Sequence, residues 1–324
     1  MIFFLSIFSN FLCICTKLIT NSASLISGGE SLQIAVSGGK GGTGKSTVAT
    51  NLAVALRKIG GVKLTLADLD VEAPNDHILL GVELANEEPV NQFMPRFDYS
   101  KCTKCRKCAE VCEEHAIVTL KDGTPFLMPT LCSGCRACEI VCPVPGGAIQ
   151  EAFRVIGHTY VTPTPYGFTL VTGKLREGEE RSMPLVVAAK RRAEEVREGL
   201  LMVDTAAGTG NTVSKAVEGS KLLIAVTEPT PPLGIHDTEL ILQLGKLMKI
   251  PTWVVVNRSD LGDVGKVREL AEKYGAEIVA EIPYSENIVK TYVEGKPIVL
   301  TDYPEAEIFT GLAERVAEFL GGGE

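Results

Sequence analysis

Short apolar runs alternate with stretches of helical period along most of this chain. Gln33–Ser37 is an apolar run closed by glycines, which predicts a buried strand entering a loop. From Lys45 to Ile59 apolar residues recur at helical spacing (Val48, Leu52, Val54, Ala55, Ile59), and Gly60-Gly61 ends the run. Lys63–Ala67 predicts a second strand, closing on Asp68-Leu-Asp70. Leu200–Val203, Leu222–Val226, Thr252–Val256 and Glu277–Ile282 read as further strands. Helical stretches fall near Asn211–Val217, Gly234–Met248, Val264–Tyr274 and Glu286–Glu294, with a last one from Ala306 to Leu320. Strands alternating with helices predict an α/β fold, a doubly wound and mostly parallel sheet. Ligands of such sheets bind at the carboxyl ends of the strands.

The alternation breaks between residues 96 and 150. Here Cys102-x-x-Cys105-x-x-Cys108-x-x-x-Cys112 is repeated 30 residues later as Cys132-x-x-Cys135-x-x-Cys138-x-x-x-Cys142. Each copy is followed by an Ala-Ile pair, Ala116-Ile117 and Ala148-Ile149. Between the copies, Ile117–Leu120, a turn at Asp122-Gly123 and Pro125–Leu127 predict a small hairpin. So short a segment has little core of its own, so bound metal must hold it together. Residues 151 to about 190, with Pro163, Pro165 and a Gly178-Glu-Glu-Arg181 turn, read as an irregular connection with room to move. The expected layout is a nucleotide-binding domain in two parts, 32–95 and 151–324, around an inserted module at 96–150.

Residues 1–31 stand apart. Eleven of the fourteen residues from Ile2 to Cys15 are apolar, and Lys17 is the only basic residue before Ser31. A signal peptide wants positive charge ahead of its apolar core. A membrane span wants about 20 apolar residues, and Ser6, Ser9, Asn10 and Thr16 interrupt this one. The expectation is a misassigned start, with translation beginning at Leu32 and a membrane anchor as the alternative. Cys13 and Cys15 fall in this leader and receive no role.

The chain has 324 residues, 45% hydrophobic and 22% charged, which suits one large domain with a small module. Its net charge of −8 argues against general nucleic-acid binding, which wants a basic face. Tight cysteine triplets are ligand geometry rather than a disulfide framework, and with a nucleotide site they point to a reducing, cytoplasmic setting. His77, His115, His158 and His236 show no ligand spacing, and His236 is expected to hold a loop. Trp253 is expected in the core.

Gly39-x-x-x-x-Gly44-Lys45-Ser46 lies between the first strand and the first helix, as a phosphate-binding loop must. Its glycines let backbone N–H groups cradle phosphate oxygens. Lys45 neutralises the β- and γ-phosphates, and the Ser46 hydroxyl binds Mg²⁺. Gly39, Lys40, Gly41, Gly42, Thr43, Gly44, Lys45, Ser46 and Thr47 are thus the candidate nucleotide-binding residues. The early Lys40 makes the loop resemble the deviant P-loop of the MinD-type ATPases. That resemblance implies that Lys40 reaches across an ATP-dependent homodimer and stabilises transition-state charge on the partner's nucleotide. Asp68-Leu-Asp70-x-x-x-x-Asn75 resembles the stretch after the family's second strand. It implies that Asp70 orients the attacking water and that Asp68 assists Mg²⁺ through water. Val203-Asp204-Thr205-Ala-Ala-Gly208 resembles the second metal-side motif and places Asp204 near Mg²⁺. Val256-Asn257-Arg258 resembles the adenine-side motif, with Asn257 on the base.

The cysteine repeat resembles bacterial-type ferredoxins with two [4Fe–4S] clusters, in which the fourth ligand of each cluster comes from the other motif. The resemblance implies one cluster on Cys102, Cys105, Cys108 and Cys142, and another on Cys132, Cys135, Cys138 and Cys112. Zinc is the alternative metal, although structural zinc usually takes two separated pairs. Cys142 is followed by the expected Pro143, but Cys112 is followed by Glu113, a departure that bears on potential or solvent access rather than on ligation. Lys101, Lys104, Arg106 and Lys107 crowd the first motif and read either as a docking edge for an acidic partner or as a solvated basic edge.

From Gln33 to about Gly321 the chain is similar to MinD/Mrp-superfamily P-loop ATPases with an inserted ferredoxin domain. Thr227-Glu-Pro-Thr-Pro-Pro-Leu-Gly-Ile-His236-Asp237 resembles a segment of that group. The resemblance implies ATP hydrolysis coupled to a redox or cluster-handling step, with two clusters, ATP and Mg²⁺ as cofactors. Three functions remain open: nucleotide-gated electron transfer to a redox partner, cluster delivery to an apo-acceptor protein, and ATP-dependent dimerisation as a regulator. Scaffold members bridge a cluster with a carboxyl-terminal Cys-x-x-Cys, and no cysteine follows Cys142 here. Membrane attachment by the last helix is not expected, because Glu305, Glu307, Glu314 and Glu318 dominate its polar face.

Overall fold

The computed structural model describes residues 32–321. The expectations for residues 1–31 lie outside the described residues. The chain begins with β1 (Gln33–Ser37), α1 (Lys45–Gly60) and β2 (Leu64–Leu69). A short α2 (Asp76–Leu79) leads to β3 (Glu88–Phe97). The cysteine segment holds α3 (Lys107–Glu110), β4 (Ile117–Thr119), β5 (Pro125–Leu127) and α4 (Ala137–Ile140). Then come β6 (Ile149–Pro163), β7 (Thr169–Leu175), α5 (Met183–Glu195), β8 (Leu200–Thr205) and α6 (Asn211–Val217). The chain closes with β9 (Leu222–Thr227), α7 (Leu233–Met248), β10 (Thr252–Asn257), α8 (Val264–Tyr274), β11 (Glu277–Ile282), α9 (Glu286–Val293) and α10 (Glu305–Gly321).

One nine-stranded sheet runs β11-β10-β9-β1-β8-β2-β7-β6-β3. The first seven are parallel, and β6 and β3 add an antiparallel edge. The central strands are buried on both faces, so their residues read as continuous apolar runs. On one face Ile34, Leu66, Met202 and Ile224 pack with α1 and with Phe309, Leu312 and Val316 of α10. Each such fully buried side chain contributes about 1.5–3 kcal/mol. On the other face Ala35, Ala67, Val203 and Ala225 meet Leu185 and Ala189 of α5, Val213 of α6 and Ile241 of α7. Trp253 is only partly buried, edge-on to Phe319 with ring centroids 5.4 Å apart. His236 lies within α7 rather than in a loop.

The stretch expected to be irregular is regular. Residues 149–163 form the longest strand, 169–175 form another, and 183–195 a helix. The strand escaped notice because Gln150, Glu151, Arg154, His158 and Tyr160 interrupt any apolar run. The outermost strand, β3, carries Pro89 and Pro95, which the edge of a sheet tolerates. Helix α5 has proline in its first turn and turns Leu185, Val186, Ala189 and Ala193 inward.

This edge decides where the cysteines go. β7 runs parallel to β2, with Thr172 opposite Asp68. β6 returns antiparallel, with Gly157 opposite Leu175 at the end of β7. Residues 149–156 therefore continue past the carboxyl end of β7, paired with β3 as a two-stranded ribbon. At about 3.3 Å per residue they carry the cysteine segment roughly 26 Å along the strand direction. The segment thus leaves from the same sheet edge as Asp68 and Asp70.

Packing at the root of the ribbon is tight. A Cβ on Gly173 of β7 would stand 2.6 Å from Val71 Cγ1 and 3.0 Å from Ala189 Cβ. Gly173→Ala is expected to cost about 1–3 kcal/mol of stability by overpacking. Urea unfolding measures it, and an unchanged midpoint would contradict this packing.

Candidate nucleotide site and cysteine centres

The phosphate loop follows β1, a buried strand, and ends at Gly44, whose left-handed backbone (φ 93°) caps α1. The free N–H groups of that helix start are aimed at the cradle. Neighbouring elements hold the loop closely. A Cβ on Gly39 would lie 2.3 Å from Asp237 O of α7, and one on Gly44 would lie 2.4 Å from Asn257 Nδ2. Both positions require glycine on contact grounds alone.

Gly41, Gly42, Gly44, Lys45, Ser46, Thr47, Asp70, Asn75, Asn257 and Arg258 line a cavity of about 470 Å³, together with Pro283, Tyr284, Ile288 and Tyr292. That volume lies within the usual range for small-ligand sites, about 300–1,000 Å³. Asn257 does two jobs at its rim. Its Nδ2 donates to Thr43 O at 2.8 Å, and its Oδ1 accepts from Arg258 N at 3.0 Å. Lys45 is buried, and its Nζ donates to Lys40 O at 3.2 Å. Burial pushes the Asp70 carboxyl up, while Lys45 pulls it back.

Lys40 points away from this cavity. Its Nζ lies 3.1 Å from Glu228 Oε2, and it donates to Thr230 Oγ1 at 3.5 Å. The same Glu228 pairs with Arg258, whose Nη1 donates to Gly42 O at 3.0 Å. Sequence reasoning missed Glu228 and Arg258 as loop braces. Both lay in the motif segments that carry the resemblance, just past the ends of β9 and β10, but nothing there gave them this role.

Behind the loop three carboxylates meet. Asp68, Asp76 and Asp204 each bring an oxygen within 4.8 Å of the other two, and all are buried. Asp68 accepts backbone N–H groups of Asp70 (3.2 Å), Asn75 (3.0 Å) and Asp76 (3.1 Å). Neither oxygen of Asp76 or Asp204 has a well-formed hydrogen bond. Burial pushes all three carboxyls up, Asp204 to about 6 even with Ser46 and Lys45 pulling it down. Asp76 is the residue sequence reasoning missed. Its neighbour Asn75 was seen, but nothing local says that α2 turns the next side chain toward Asp204.

Two further cavities hold the cysteines. One is lined by Cys102, Cys105, Cys108 and Cys142 with Phe97 and Pro143, the other by Cys112, Cys132, Cys135 and Cys138 with Phe93 and Arg136. Left-handed residues Lys104, Arg106, Gly134 and Arg136 curl each triplet around its space. Backbone N–H groups of Lys104 and Ala116 donate to Cys102 Sγ (3.4 Å) and Cys112 Sγ (3.3 Å). Burial and neighbouring thiols push Cys138 up to about 12 and also raise Cys108. Among the described residues, no three cysteine sulfurs lie within 4.8 Å of one another. Of the basic edge, Lys101 is paired with Asp98 at 3.6 Å and Lys104 with Asp122 at 2.5 Å. Half of that edge is neutralised within the chain.

The three acids give a pH dependence. A carboxyl raised by folding holds its proton more tightly in the native state than in the unfolded chain. Stability is therefore lost as pH rises from the unfolded value near 3.8 to the folded value, about 6 for Asp204. Magnesium-free protein should lose stability across about pH 4–6. Asp76→Asn removes one acid and supplies a donor, so it should flatten this dependence and raise the Tm at pH 7. A thermal denaturation series across pH that left the variant's slope unchanged would overturn this account.

Residues 34–298 match the family model described as the CobQ/CobB/MinD/ParA nucleotide binding domain. An uncharacterized protein of Methanocaldococcus jannaschii is 34% identical over 270 residues, covering 82% of this chain and 91% of its own. An iron-sulfur cluster carrier protein of Pyrococcus horikoshii is 28% identical, covering 89% and 86%. Among solved structures, the septum site-determining protein MinD from Pyrococcus horikoshii, complexed with Mg-ADP, superposes with a TM-score of 0.57 at 19% identity, covering 90% and 98%. That likeness concerns the fold. Among the described residues no helix is long and apolar enough to cross a membrane. With this match over most of its length and a glycine-rich phosphate loop at the carboxyl edge of a mostly parallel sheet, the chain belongs to the CobQ/CobB/MinD/ParA nucleotide-binding family.

Proposed function

We propose that this protein binds and hydrolyses ATP and that its nucleotide state gates electron transfer through two [4Fe–4S] centres held by its eight paired-motif cysteines. The observation that carries this reading is the shared sheet edge. The β3–β6 ribbon holds the cysteine segment on the side where Asp68, Asp70 and the phosphate loop emerge. A segment sensitive to the γ-phosphate is therefore joined to the cysteine module by strand pairing.

The chain's own residues divide the work. The backbone of Gly41–Gly44 and Lys45 bind the phosphates, and Ser46 with Asp204 and Asp68 hold Mg²⁺, directly or through water. Asp70 lines the cavity and orients the attacking water. Asn257 and the apolar wall from Pro283 to Tyr292 hold the base. Cys102, Cys105, Cys108 and Cys142 hold one centre, and Cys112, Cys132, Cys135 and Cys138 the other. Each centre supplies a one-electron carrier when bound. Lys40 leaves Glu228 on dimerisation and reaches the partner's nucleotide. The electron acceptor is a separate redox protein.

Cluster delivery is the second reading, favoured by the relatives named iron-sulfur cluster carrier proteins. Transfer of labelled iron–sulfur clusters to an apo-ferredoxin, accelerated by ATP, would select it. The first reading instead expects an anaerobic redox titration followed by EPR to give different midpoint potentials with and without nucleotide. Identical potentials, together with unchanged electron-transfer rates, would sink it.

Two substitutions test the residue roles. Lys40→Ala should lower the ATPase rate by on the order of 10³-fold, as loss of an in-trans cation does, and an unaffected rate removes the role. Cys142→Ser should lose the centre on Cys102, Cys105 and Cys108 and about half the bound iron. If the lost EPR signal proves to belong with Cys132, Cys135 and Cys138, the crossed ligand scheme is wrong.

A further inference from the structure

The nucleotide side and the second cysteine centre are joined by hydrogen bonds and one short stretch of backbone that the known motifs do not include. Val71 directly follows Asp70, and its O accepts from Leu175 N at 2.8 Å. Leu175 ends β7 and opens the turn at residues 176–182. That turn is anchored at its start, where Arg176 N donates to Ile156 O at 3.0 Å. Glu179 pins its middle. Its Oε2 lies 3.0 Å from Arg154 Nη1 in a nearly buried ion pair, and its Oε1 accepts Arg181 N at 3.2 Å.

Arg181 then reaches the cysteine module. Its Nη1 donates to Thr130 O (3.1 Å) and Cys132 O (2.6 Å), and its Nη2 to Leu131 O. One guanidinium thus holds three consecutive carbonyls that end at a cysteine of the second centre. Gln92 grips the next residue in the same way. Its Nε2 donates to Ser133 O at 2.7 Å, while its Oε1 accepts Arg154 Nη2 at 3.0 Å. Both grips on the 130–133 loop therefore lead back to Glu179 and Arg154. Arginine suits this position, because its planar fork fixes several acceptors at once where a lysine ammonium cannot.

We propose that Arg181 is the positioning residue that couples the segment after Asp70 to the centre on Cys112, Cys132, Cys135 and Cys138. This rests on the nucleotide-gated reading above. A shift of Asp70–Val71 on phosphate binding pulls on Leu175, turns the 176–182 segment and moves the guanidinium against the Cys132 loop. The fixed positive charge also favours the reduced, more negative state of that centre.

The test is the same EPR-monitored titration on anaerobically reconstituted, full-length protein, with magnesium and a non-hydrolysable ATP analogue or without nucleotide. In the parent protein the potential of one centre shifts with the analogue. Arg181→Ala should lower that centre's nucleotide-free potential by about tenfold in the reduction equilibrium, about 59 mV for one electron. It should also abolish the nucleotide-dependent shift, with the other centre's potential and the analogue's affinity unchanged. Arg181→Lys keeps the charge but not the fork, so it should retain the nucleotide-free potential and still lose most of the shift. It also decides the matter if the alanine variant fails to load its centre. A full nucleotide shift in either variant overturns the coupling role and leaves gating intact. No shift in the parent protein overturns gating and the coupling with it.

Discussion

Three carboxylates packed without solvent behind the phosphate loop set the terms for the rest of the site. Unpaired buried charge is costly, and like charges a few ångströms apart add to the cost. Asp68, Asp76 and Asp204 keep this arrangement because strands and helices on all sides fix it. Asp68 and Asp204 stand opposite each other on paired strands β2 and β8. Asp76 arrives on a helix whose own N–H is bound to Asp68. Lys45 and Ser46 stand in front, close enough to lower Asp204 without neutralising the group. The three carboxyls therefore hold their protons more tightly than free acids do, and a magnesium ion bound beside them would favour their ionised form. That crowding of carboxylates favours a cation there, a local form of the preorganisation by which binding sites work.

Strand β2 also connects those acids to the cysteine module. β2 ends at the acids and pairs with β7, β7 pairs with β6, and β6 rises with β3 to carry the cysteines. A ribbon of paired strands is stiffer than a loop, because each residue is held by its neighbour's hydrogen bonds. Arg181 and the Arg154–Glu179 pair brace the far end against the core. The ion pair is almost without solvent, so breaking either partner would leave a charge stranded. The module is thus built as an extension of the sheet edge.

Much of this was legible in the residues. Strand β1, helix α1 and the loop between them follow from an apolar run, glycines and a helical period. Those patterns arise from burial on both faces of a parallel sheet, which leaves a strong local signature. The cysteine spacing likewise announced two groups of four, each lining one cavity, because such spacing is local. The antiparallel edge was not legible. β6 and β3 are half solvated and carry charges and prolines, so their strand character exists only through pairing with each other and with β7. Asp76 left no pattern, and Glu228 and Arg258 lay in family-like motifs that gave them no role, since each acts on a partner more than 100 residues away.

By itself, then, the sequence determined the family, the phosphate loop and the two cysteine groupings, because glycine contacts, helix starts and cysteine triplets are fixed over a few residues. Tertiary structure alone decided that the cysteine module rises from the nucleotide edge of the sheet and that Lys40 rests on Glu228. It also decided that Asp76 completes a buried acidic trio and that Arg181 grips the loop of Cys132. Each of these depends on which strands lie side by side, and strand order is set by the packing of the whole core.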